Sequence, residues 1–74
     1  MPRRGQHVVP SGDGWAVRKG GASRASGKFA TQEAAIDSAR GLAKKQKTEL
    51  YIHGRDGKIR ARDSYGNDPF PPHS

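Results

Sequence analysis

The sequence predicts a small α+β domain of order β-β-α-β-β, with one helix packed on a mainly antiparallel sheet. Three observations carry this. Ser11-Gly12-Asp13-Gly14 and Arg55-Asp56-Gly57-Lys58 are tight-turn signals, each set between short strand-like runs. Between the two, Ala35, Ile36, Ala39, Leu42 and Ala43 recur at helical spacing and form one narrow apolar stripe.

Pairing about Gly12-Asp13 sets Val8 opposite Val17 and Pro10 opposite Trp15 on one face, with His7 opposite Arg18 on the other. Pro10 has no N–H to give a ladder, so its strand is expected to end there or to lie at an edge. Trp15 belongs in the core by its hydrophobic area. Residues 18 to 28 are small, polar and basic and include Gly20, Gly21 and Gly27, which predicts a loop. A helix follows from about Thr31 to Gln46. Thr31 can cap it, Glu33 sits at the positive end of its dipole, and Lys44, Lys45 and Lys47 sit at the negative end.

In the second hairpin, Asp56-Gly57 favours a two-residue type I′ turn, which sets the expected register. Arg55 then opposes Lys58, His53 opposes Arg60, Ile52 opposes Ala61, Tyr51 opposes Arg62 and Leu50 opposes Asp63. Alternation puts Leu50, Ile52, Ile59 and Ala61 on a core face. The other face collects Tyr51, His53, Arg55, Lys58, Arg60 and Arg62. Asp63 falls on the core side, so the ladder is expected to fray there, leaving Asp63 to cap the next turn or pair with a cation.

A chain of 74 residues holds one domain at most, with a modest core. It contains no cysteine, so neither disulfides nor thiolate metal sites supplement that core. No apolar run reaches the length of a signal sequence or a membrane span, and the expected setting is cytoplasmic. Residues 1–5 read as a flexible basic arm, residues 6–65 as the α+β domain and residues 66–74 as a Pro-rich extended tail, with Tyr65 and Phe70 as its anchors.

Fourteen Lys and Arg against seven Asp and Glu give a net charge of +7 and a pI near 10.4, a field that attracts polyanions. The excess lies before residue 49, and most of it in residues 1–28, where six basic residues face one acidic. In the last third, basic and acidic residues balance, so a positive patch there depends on face selection. Phosphates need cations spaced along a surface, and exposed bases stack on rings or guanidinium planes. The second-hairpin face, Tyr51, His53, Arg55, Lys58, Arg60 and Arg62, offers both. Arg18, Lys19, Arg24 and Lys28 of the basic loop extend it.

The expected function is therefore DNA or RNA binding without sequence specificity. A competing reading makes the same face an ordinary solvated sheet surface in which Arg62 covers Tyr51. A second function class is a protein-interaction module, such as a homodimer that pairs strand edges or exchanges its tail, without nucleic acid.

Enzyme chemistry finds no support. His7, His53 and His73 are scattered, no paired carboxylates occur, and no metal, cofactor or small-molecule substrate is expected. Gly21 to Lys28 differs from a phosphate-binding loop. Five residues rather than four separate its glycines, and Phe29 stands where that motif needs a magnesium-holding hydroxyl.

His7-Val8-Val9-Pro10, Gly14-Trp15-Ala16-Val17, Thr31-Gln32-Glu33-Ala34, Ile52-His53-Gly54-Arg55-Asp56-Gly57 and Asp63-Ser64-Tyr65-Gly66-Asn67-Asp68-Pro69 occur here in that order. Together, over about residues 6 to 72, they resemble a family of very small bacterial proteins known as domain of unknown function 2188. The resemblance implies one compact domain in a bacterial or phage setting. It transfers no activity and no catalytic residue.

Overall fold

The computed structural model describes residues 5–21 and 24–65, and the expectations for the basic arm before Gly5 and for the tail after Tyr65 lie outside them. Five strands and one helix follow in the order β1 (Gln6–Ser11), β2 (Gly14–Lys19), β3 (Ala25–Phe29), α1 (Gln32–Gln46), β4 (Glu49–His53) and β5 (Ile59–Ser64). The sheet order is β3-β2-β1-β4-β5. Only β1 and β4 pair parallel; the other three pairs are antiparallel. This is the expected single helix on a mainly antiparallel sheet, with one strand more than the sequence suggested.

The extra strand is β3, which lies within the segment read as a loop. Of its residues Ala25-Ser26-Gly27-Lys28-Phe29, only Phe29 has a strong strand preference of its own. The ladder to β2 makes them a strand, with Phe29 opposite Trp15 and Lys28 opposite Ala16. The first hairpin has the expected register, from His7 opposite Arg18 to Ser11 opposite Gly14. Pro10 is tolerated in this inner strand because the parallel pairing with β4 spans only Gln6 to Val8. Beyond Val8, β1 has no neighbour on that side to ask for its N–H.

Helix α1 begins as Thr31 predicts. The Thr31 hydroxyl accepts from the Ala34 N–H at 3.1 Å. Ala35, Ala39 and Ala43, at i, i+4 and i+8, are fully buried, and their small side chains let the helix lie close on Val8, Trp15, Val17, Leu50 and Ile52. Phe29, Ile36, Leu42 and Tyr65 flank this cluster. Gln32 Nε2 donates to the His53 carbonyl at 3.1 Å, tying the start of the helix to the end of β4.

The helix stops at Lys47, which adopts left-handed φ and ψ of 54° and 52°. There the Thr48 N–H reaches the Ala43 carbonyl at 2.9 Å and the Lys47 N–H the Lys44 carbonyl at 3.3 Å, a Schellman closure. A side chain carries a steric penalty in that conformation, so Lys47→Gly is expected to raise stability by about 0.5–1 kcal/mol. Urea denaturation checks it.

The second hairpin departs from expectation at its turn. The Gly57 N–H bonds the Gly54 carbonyl at 2.9 Å and the Gly54 N–H bonds the Lys58 carbonyl at 2.8 Å, so Arg55 and Asp56 are the central residues. Gly57 takes the positive φ of 86°, and Asp56 does not share it. This is a type I turn closed by a left-handed glycine, an arrangement that Asp-Gly serves as readily as type I′.

Leu50 opposite Asp63, Tyr51 opposite Arg62 and Ile52 opposite Ala61 hold as expected, but the register then slips and His53 faces Ile59, leaving Arg60 as the extra residue. A one-residue slip turns a side chain to the other face. Ile59, expected in the core, is 48% exposed. Ala61 keeps its phase and is exposed because α1 does not extend over β5. For the same reason Asp63 meets solvent, and the ladder continues through Ser64 rather than fraying.

Candidate functional site

The helix covers one face of the sheet, and among the described residues nothing covers the other. Registers across four strands assemble a row on this open face. Arg18 of β2 lies opposite His7 of β1, His7 beside Tyr51 of β4, and Tyr51 opposite Arg62 of β5. A guanidinium stands at each end with two rings between. The row depends on the parallel β1–β4 pairing, which neither hairpin alone specifies. Hence His7 joins the site although sequence reasoning left it out; its register partner Arg18 was the available signal.

The rings are packed against each other. His7 and Tyr51 stack with centroids 4.7 Å apart and planes 21° apart, and Tyr51 is only 3% exposed. Its hydroxyl donates to the Glu49 carboxylate. Tyr51 thus lies on the expected face but is not the exposed stacking surface the sequence suggested.

His53, two residues on, is half-buried. Its Nδ1 lies 2.9 Å from the Gly57 carbonyl and its Nε2 lies 3.1 Å from His7 Nδ1. A carbonyl accepts only, so the neutral His53 ring donates to Gly57 through Nδ1 and accepts from His7 through Nε2. The type I turn, by placing the Gly57 carbonyl, fixes the ring of His53 and through it that of His7. A shallow cavity of 340 Å³ beside the pair is bordered by His7, Val9, Arg18, Lys19, Gly20, Gly21 and His53.

Other expected residues fall in different places. Lys28 is exposed on the open face, in the next row, opposite Ala16. Lys19 lies opposite Gln6 and therefore points to the helix side. Arg24 is exposed just before β3. Lys58 and Arg60 are exposed at the turn and the bulge and do not continue the row.

Arg55 is turned away altogether. Its guanidinium donates to the carbonyls of Gly12 at 3.1 Å and Asp13 at 2.9 Å and lies 4.6 Å from the centre of the Trp15 ring. It clasps the two turns together where β1 and β4 no longer pair. Arg55→Ala is expected to cost about 1–2 kcal/mol, and Arg55→Lys to restore little of it, because a lysine lacks the planar fork. Urea midpoints measure both.

The described residues contain no group of three or more His, Cys, Asp or Glu able to hold a metal ion, and no helix among them is long and apolar enough to cross a membrane.

Comparison with known proteins gives kinship without a function. A Bacillus subtilis (strain 168) protein described as "Uncharacterized protein YdaT" is 33% identical over 67 residues, which is 90% of this chain and 45% of that protein. The chain thus spans somewhat less than half the length of this relative. No solved structure matches. The model of the family described as "Uncharacterized protein conserved in bacteria (DUF2188)" matches residues 6–65, most of the chain and nearly all of the described fold. The chain belongs to this DUF2188 family of bacterial proteins.

Proposed function

We propose that this domain binds nucleic acid through the open face of its sheet, without sequence specificity and without catalysing a reaction. The observation that carries the reading is the cross-sheet row Arg18–His7–Tyr51–Arg62, with Lys28 beside it. Cations from both ends of the chain meet on one surface over which no other described element lies. Arg18, Lys28 and Arg62 contact phosphates, with Arg60 and Lys58 at the margin. Glu49 lowers the potential locally but is engaged by the Tyr51 hydroxyl. A net charge of +7 adds long-range attraction.

Binding of about four phosphates predicts a slope of log affinity against log salt of about −4 for duplex DNA. Titration of labelled DNA and RNA across a salt series measures it. Arg18→Glu/Arg62→Glu is expected to remove binding, while Arg40→Glu/Lys45→Glu, the same charge change on the helix, is expected to leave most of it. A slope near zero, or equal losses in the two variants, refutes an interface on this face.

Edge strand β5 favours a second reading. All six of its residues are exposed, and Ile59 is a large apolar one. An uncovered edge is a template for another strand, so β5 would pair with β5 of a second copy. Light scattering decides this: a monomer at high concentration excludes the homodimer.

A further inference from the structure

Resting on the binding reading above, we infer that the preferred ligand is a B-form DNA duplex met at its major groove, and not a single strand. Proteins that hold single strands lay successive bases on bare ring faces. Among the described residues the rings are already engaged. Tyr51 is buried against His7, and His7 has Tyr51 on one flank and Arg18 at the paired position on the other. His53 leans on His7 at 5.3 Å between centroids and is hydrogen-bonded through both nitrogens. Trp15 carries the Arg55 guanidinium, and Phe29 and Tyr65 pack against the core cluster.

Side chains stand roughly perpendicular to a sheet, so rings stacked side by side along a row turn their edges outward. Edges hydrogen-bond; they do not stack on bases. The open face therefore offers a single strand no bare ring, while the guanidinium groups at the two ends of the row suit the two phosphate walls of a groove.

The spacing agrees. Arg18 and Arg62 are three strand intervals apart, about 14 Å at the backbone. The major groove of B-DNA is about 12 Å wide. Two arginines on flexible stems reach the phosphates of both groove walls, and the engaged rings between them leave the base edges unread. The A-form groove of duplex RNA is too deep and narrow for that approach.

Fluorescence anisotropy tests this with the full chain and three labelled probes of one sequence: a 20-base-pair DNA duplex, its single strand, and the RNA duplex. At low salt the DNA duplex is expected to bind at least tenfold more tightly than either of the others. Arg18→Gln and Arg62→Gln are each expected to reduce the duplex salt slope by about one. A single strand or RNA duplex held as tightly as the DNA duplex overturns the inference and leaves nucleic-acid binding standing. No retention of any probe removes the binding reading and this inference together.

Discussion

Leu50→Ala is expected to destabilise the domain by about 2–5 kcal/mol, while Ile59→Ala is expected to change stability by less than about 0.5 kcal/mol. Leu50 is fully buried beneath the helix and sits in the middle of the apolar cluster. A chain of this length has a stability of roughly 4–11 kcal/mol in all, so the first change removes a large share of it. Apolar alternation in the sequence ranks the two residues alike, as core positions of one hairpin. The bulge at Arg60 separates them, because it gives Ile59 the phase of His53. Trp15, the single tryptophan, reports unfolding in urea. Equal losses from both variants contradict the slipped register.

That contrast marks where the sequence was legible. Strong local chemistry set the first hairpin, the helix cap at Thr31 and the alanine stripe, because each depends on residues within one or two turns of chain. Three pairs of the second hairpin followed from alternation. The pairs nearer the turn did not, because Asp-Gly serves two turn geometries that differ by one residue in the strands they join. Strand β3 was hidden because Ser26, Gly27 and Lys28 owe their conformation to a neighbouring strand and not to their own preference.

The open face of the sheet shows the same division more sharply. Arg62 beside Tyr51 and His7 beside Arg18 are each hairpin-local pairs, and both were readable. Joining them required the parallel register of β1 on β4, a contact between segments more than forty residues apart that alternation does not encode. Once joined, the burial of Tyr51 follows, and with it the loss of a stacking platform. Arg55 leaves its expected face for a related reason. Its partners are carbonyls in the other hairpin's turn, which no periodicity within its own strand reveals.

The pairing of β1 with β4 can be attacked at one atom. Gly5 has a φ of 127°, and a methyl group on its Cα would sit 2.5 Å from the Glu49 carbonyl oxygen and 3.3 Å from the Tyr51 ring. Backbone cannot yield there as a flexible side-chain tip can. The Gly5 carbonyl also accepts the Gly20 N–H at 2.8 Å, so the residue is held from both sides. Gly5→Ala is therefore expected to cost about 2–4 kcal/mol, combining a backbone conformation worth roughly 1–3 kcal/mol with the overlap. Relief comes only by moving β1 away from β4, which draws His7 off Tyr51. Urea midpoints measure the first effect, and the ring-proton shifts of His7 and Tyr51 report the second. In the fraction that remains folded, duplex affinity should fall with the loss of stacking although no charge has changed. A Gly5→Ala chain with native stability and unshifted rings would mean that the two strands do not approach as closely as the row requires, and an interface built on that row would fall with it.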